Sequence, residues 1–138
     1  MKLILFILLL IPTLSFSKGN YGNVYPSEIR SVYDGDTFTV TIAEWPPIIG
    51  EKIKVRVAGV DTPEMRGKCE REKKLARKAK KHTVAFVRSG KVELRNLRRG
   101  KYFRIVADVY VDGKSLTKSL ISEGLGYPYG KGKKKSWC

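Results

Sequence analysis

Acidic residues are scarce in this sequence. Of its 138 residues, 13 are Asp or Glu against 28 Lys or Arg, a formal net charge of +15. A surplus of that size on a small domain favours a polyanionic partner, whether nucleic acid, anionic membrane or acidic glycan, and does not choose among them. Thiol and imidazole ligands are scarcer still. Two cysteines and one histidine are too few for the four-ligand set of a structural zinc site. No apolar run reaches the about 20 residues needed to span a bilayer. The longest, Leu3 to Leu14, is broken only by Pro12 and Thr13. It follows the positive Lys2 and precedes Ser15 and Ser17, small residues placed for a cut after Ser17, which is the pattern of a secretory signal peptide. No cysteine follows closely enough for a lipoprotein anchor, and no later segment sets a broad apolar helix face against a basic one. The chain is therefore expected to be exported, into a periplasm or out of the cell, without stable membrane association. In that compartment an even cysteine count favours a disulfide, Cys69 with Cys138.

With residues 1–17 set aside, residues 18–27 are rich in Gly and Asn and read as a flexible arm before one domain, 28–138. Glu28 to Tyr33 reads as a first strand, and Asp34-Gly35 as a hairpin-type turn. Phe38, Val40 and Ile42 then alternate with Thr37, Thr39 and Thr41, a two-residue period. Trp45-Pro46-Pro47 breaks it. Ile53, Val55 and Val57 alternate with Lys54, Arg56 and Ala58 in a third strand, which stops at Thr62-Pro63 because proline cannot donate to a ladder. Cys69 to Arg88 is rich in helix formers and carries an apolar stripe of Leu75, Ala76, Ala79, Thr83, Phe86 and Val87. Val92 and Leu94 begin a fourth strand, Asn96 to Lys101 reads as a basic turn, and Ile105 to Val111 alternates as a fifth strand. Ser115 caps a short helix to Glu123, with Gly124 as its stop. The order predicts a β-rich α+β domain: a five-stranded OB-fold Greek-key barrel with two or so helices, a fold that often binds nucleic acid.

Three acids stand near strand ends. Asp36 follows the turn, and Asp61 and Glu64 flank Thr62-Pro63. Singly each is weak evidence, since an Asp beside Gly is usually a turn residue. Arg56 and Arg104, each set between β-formers and each on the face opposite the apolar stripe, change the balance. Acids and guanidinium groups together suggest a site for a phosphate with a cation. His82, in the charged helix, is expected to have no part in it. Lys73 to Lys81 reads as a solvated helix face that attracts phosphates non-specifically.

Val32-Tyr33-Asp34-Gly35-Asp36-Thr37, Val55 to Glu64, and Lys101-Tyr102-Phe103-Arg104 resemble the three signature segments of the staphylococcal (micrococcal) nuclease family. The resemblance covers residues 28–126 or so. It implies an OB-fold barrel, a calcium ion, and hydrolysis of DNA and RNA at the P–O5′ bond, leaving 3′-phosphates. By the same resemblance Asp36, Asp61 and the Thr62 carbonyl are calcium ligands, and Glu64 orients or deprotonates the attacking water. Arg56 and Arg104 bind the phosphate, and Tyr102 belongs to the nucleotide pocket. A monomer is expected. Two differences from the staphylococcal enzyme stand out: a shorter segment at Met65-Arg66-Gly67-Lys68, and the lack of that enzyme's third, C-terminal helix.

The residue types suit that chemistry. A phosphodiester is anionic and repels hydroxide, so a divalent cation and two guanidinium groups neutralise charge that grows in the transition state. Arginine matches phosphate oxygens in pairs, which lysine does not. A silent OB-fold module could bind single-stranded nucleic acid through basic grooves and aromatics. It would not need Asp36, Asp61 and Glu64, which repel the backbone unless a cation lies among them. None of Arg56, Arg104 and Glu64 is expected in the apolar core, so their substitution is expected to spare the fold.

Overall fold

The computed structural model describes residues 19–130 and 132–138; the expected signal peptide, 1–17, lies outside the described residues. Two-residue alternation builds the sheet. β1 (Glu28–Val32) and β2 (Thr37–Thr41) form an antiparallel hairpin that buries Phe38 and Val40 and turns the threonines away. After one turn of helix, α1 (Pro47–Gly50), β3 (Ile53–Val57) pairs with β2 and buries Ile53, Val55 and Val57. Gly59, at φ 76°, breaks what the sequence predicts as one strand, and β4 (Val60–Asp61) leaves in a new direction. Glycine takes that backbone conformation without steric cost. Then come α2 (Glu70–Val87), β5 (Val92–Arg99), β6 (Arg104–Val111), β7 (Lys114–Ser115), α3 (Leu116–Ser122) and β8 (Tyr127–Pro128).

The strands run in the order β1-β2-β3-β6-β5, with β7 on β6 and β4 paired to β8 in a separate ribbon. β3 and β6 are parallel, which the chain achieves by crossing over through α2 and β5. The sheet curls into a half barrel, and with three helices the domain is β-rich and OB-fold-like, as the order of elements predicts. Phe38, Val40, Val55, Leu94 and Val109 fill its inside, closed by Leu116 and Leu120 of α3 and by Ala79 and Val87 of α2. α3 starts at the predicted cap, the Ser115 hydroxyl accepting from the Lys118 N–H, and α2 starts one residue after the predicted Cys69, whose sulfur caps it by accepting from the Glu72 N–H.

Two boundaries differ from the sequence reading. The predicted basic turn from Asn96 is strand as far as Arg99, because a register shift between Arg95 and Arg98, with Asn96 at φ 53°, absorbs the irregularity as a bulge and buries Leu97. The arm is held as well. Val24 is buried and bridges Leu94, and the Leu97 N–H donates to the Gly22 carbonyl at 2.9 Å.

α2 clamps the Asp34-Gly35-Asp36 turn. The Thr83 hydroxyl donates to the Gly35 carbonyl at 2.6 Å. A Cβ on Gly35 would lie 2.8 Å from the Ala79 Cβ and 2.9 Å from Thr62, so only glycine allows the approach. His82 lies 2.8 Å from the Ser119 hydroxyl, a strut between α2 and α3.

Candidate active site

One cleft of about 980 Å³ collects every residue that the sequence marks for chemistry: Asp36, Arg56, Asp61, Thr62, Glu64, Tyr102 and Arg104. The fold brings them from six places, Glu64 from the loop after β4 and Tyr102 from the β5–β6 turn among them. Asp36 leaves the clamped turn, Arg56 the middle of β3, Asp61 and Thr62 the end of β4, and Arg104 the start of β6, parallel to β3 and opposite Lys54.

On the β2–β4 side the acids are buried, Arg56 is partly buried, and the groups are tied together. One Asp36 oxygen accepts from the Thr62 N–H at 2.9 Å and pairs with Arg56 at 3.0 Å; its other oxygen accepts from the Thr37 hydroxyl at 3.0 Å. Arg56 also donates to the carbonyls of Val57 and Val60, at 3.0 and 2.9 Å, and stands 3.7 Å from Asp61. Its side chain is 15% exposed. The expectation that substitution here spares the fold therefore needs correction for Arg56, which joins β3, β4 and the turn. The second Asp61 oxygen is buried without a hydrogen-bond partner among the described residues. Burial raises the Asp61 carboxyl above its ordinary range, against the opposing charge of Lys134.

Two acids escaped the sequence reading. Asp34 is buried, and its carboxylate accepts from the Asp36 N–H at 3.1 Å. Burial, then the neighbouring Asp36 charge, pushes its carboxyl from 3.8 up to about 7. Glu72, buried on the first turn of α2, accepts from the backbone N–H groups of Glu64 at 3.3 Å and Lys68 at 2.9 Å. It thereby fixes the short loop that presents Glu64. Neither was visible locally: Asp-Gly reads as a turn and Glu72 as one more helix charge, until α2 packs on the turn and the Glu64–Lys68 loop folds against Glu72.

The other side of the cleft is looser. Glu64 is 58% exposed and pairs with Lys134 at 2.7 Å; Lys134 also stands 3.7 Å from Asp61. The hydrogen bond it donates to Glu64, opposed by partial burial, raises the pKa of the Lys134 ammonium. Arg104 has no ion-pair partner among the described residues, and its buried Nε has no acceptor. Tyr102 and Phe103 form the exposed tip of the β5–β6 turn, both at φ 55°. Tyr129, also exposed, has its ring 5.7 Å from the Arg56 guanidinium. The Cys69–Cys138 bond is present, with Cα atoms 6.0 Å apart. It fastens the tail beside α2, where Trp137 is buried against Tyr127. That bond was the one available signal for Lys134: a tail tied to residue 69 must pass the loop carrying Glu64.

Among the described residues no three His, Cys, Asp or Glu side chains close into a cage of their own. The donor set is nonetheless that of a hard cation, which takes carboxylates, backbone carbonyls and water. The unpartnered buried oxygen of Asp61, next to Asp36 and Thr62, fits such an ion.

A curled OB-like sheet that carries acids and arginines into one cleft defines the class of this protein. More particularly, the chain belongs to the staphylococcal nuclease homologue family, whose pattern matches residues 54–136. Over 95 residues, 67% of the chain, it is 40% identical to Endonuclease YncB of Bacillus subtilis (strain 168). Over the same length it is 39% identical to the SPbeta prophage-derived endonuclease YokF of that organism. The matches span 42% and 30% of those two proteins, so the chain covers less than half of either relative.

Proposed function

We propose that this protein is a nuclease that hydrolyses phosphodiester bonds of DNA and RNA, cutting P–O5′ and leaving 3′-phosphates, and that it is exported and uses calcium. The observation that carries the reading is the convergence of Asp36, Asp61, Glu64, Arg56 and Arg104 in one cleft, in a family whose relatives are named endonucleases. The N-terminal apolar run and the disulfide support export.

Asp36, Asp61 and the Thr62 carbonyl would hold the cation. Bound there, it would supply positive charge against the phosphate oxygens. The remaining work falls to the side chains. Arg104, with donors free among the described residues, takes a phosphate oxygen, and Arg56 presents its fork from a fixed position. Both stabilise charge that grows as the fifth oxygen approaches phosphorus. Glu64, exposed on its loop, orients a water and accepts its proton. Tyr102 offers a ring to the nucleoside beside the phosphate.

Plasmid DNA and RNA incubated with the purified protein in calcium, in magnesium and in chelator provide the test. Cleavage of both polymers in calcium, abolished by chelator, is expected. Full activity in excess chelator would reject the cation, and equal activity in both ions would reject calcium as the specific one. Intact mass of the exported protein is expected to begin at Lys18; a mass retaining residues 1–17 rejects the cleavage.

A further inference from the structure

Building on the cation-assisted reading of the cleft, we propose that Lys134, held in place by the Cys69–Cys138 bond, is a built-in counter-ion of Asp61 and Glu64. A divalent cation entering the cleft must displace it from Asp61. The tail is anchored at two points close together. Cys138 is bonded to the N-cap residue of α2. Trp137 is 6% exposed and stacks on Tyr127 with ring centres 3.9 Å apart. Lys134 lies three residues earlier, and its Nζ reaches Glu64 at 2.7 Å and Asp61 at 3.7 Å. Asp61 thus faces Arg56 and Lys134 through one oxygen, while the other is buried without a partner among the described residues.

A cation on Asp61 and an ammonium at that distance repel each other, and the mobile group is the one that yields. Lys134 is 54% exposed on a flexible stem, so it can withdraw toward Glu64 or solvent. The contact contributes little to holding the tail, since a half-exposed ion pair is worth little and the disulfide and Trp137 already anchor it. Lys134 is therefore a positioning residue: it sets how much cation the cleft needs, and its 2.7 Å contact holds the Glu64 carboxylate in place while the cation is away.

The test is calorimetric titration of calcium into the purified oxidised protein, Lys134→Gln, Lys134→Arg and the Cys69→Ser/Cys138→Ser double variant, with thermal unfolding of each. Removing one ammonium near a partly exposed carboxylate should tighten calcium binding about fivefold in Lys134→Gln, at unchanged thermal stability. Lys134→Arg should stay near wild type, and the double variant should tighten in the same direction as Lys134→Gln. Unchanged or weaker binding in Lys134→Gln overturns the counter-ion. Tightening there but not in a folded double variant overturns the role of the disulfide. If the double variant does not fold, Lys134→Gln still decides the counter-ion. Equal binding by every variant rejects this proposal alone; no binding by any rejects the cation-assisted reading of the cleft and this proposal with it.

Discussion

The two sides of the cleft hold the same kinds of residue under opposite conditions. On the β2–β4 side, Asp36 and Asp61 are buried, Arg56 is partly so, and the three are bonded to each other and to backbone. On the turn-and-tail side, Glu64, Tyr102 and Lys134 are exposed, and Arg104 has no ionic partner among the described residues. A guanidinium that joins three segments cannot be removed without loosening them; one that waits for a ligand can. The first side is held together by folding; the second keeps groups exposed or without a protein partner among the described residues.

Chemistry separates the sides least and should show the largest effects. Glu64→Gln should lower kcat by on the order of 10²–10⁴, and Arg56→Lys and Arg104→Lys each by on the order of 10²–10³. Thermal unfolding of the same variants then sharpens the contrast. Arg56→Lys, which leaves buried acids and carbonyls without their fork, should lose about 3 kcal/mol of stability, whereas Arg104→Lys should stay within about 0.5 kcal/mol. Equal stability losses would break the comparison.

The disulfide bears on the tail side alone. Cys69→Ser/Cys138→Ser should cost up to about 4 kcal/mol, the chain-entropy value for so long a loop. Heteronuclear spectra should show amide shifts confined to the tail, α2 and the Glu64 loop. Changes reaching Asp36 and Arg56 would mean the sides are not independent.

Asp34 tests the buried side through pH. Its folded carboxyl titrates near 7 against 3.8 ordinarily, so the folded state holds the proton more tightly than the unfolded chain. Its contribution to stability is full below about pH 4 and is lost as pH rises through 7. Asp34→Asn cannot ionise, yet keeps an oxygen for the Asp36 N–H. In cation-free buffer it should stabilise by up to about 4 kcal/mol at pH 8 and be neutral at pH 4. A gain equal at both pH values would sink this explanation.

The smallest effect is expected at the turn. Tyr102 holds a left-handed backbone that asparagine tolerates better. Tyr102→Asn should gain about 1 kcal/mol, and KM should rise if the ring meets substrate. A loss of stability would show that the turn is not strained.

Much of this architecture was legible because it is local. The Thr/apolar alternation of β2, the stripe of α2 and the Ser115 cap each carry their signal within a few residues, and the signature segments pointed to Asp36, Arg56, Asp61, Glu64 and Arg104, which the cleft gathers. What was illegible depends on partners far along the chain. Asn96-Leu97-Arg98-Arg99 reads as a turn until β6 and the Gly22–Val24 segment supply ladder bonds. That Arg56 also joins the fold together cannot be read until the carbonyls of Val57 and Val60 turn back onto it at the Gly59 bend. Lys134 reads as tail charge until the disulfide brings it 70 residues back to Glu64.

The Cys69–Cys138 bond, across 69 positions of sequence, also changes what cutting the chain can do. The exposed Tyr102-Phe103 tip lies inside the closed loop, and exposed tips are where proteases enter. A nick there yields one molecule with two new ends rather than two fragments. Arg56 and Glu64 on one piece remain covalently joined to Arg104 and Lys134 on the other until a reductant opens the bond.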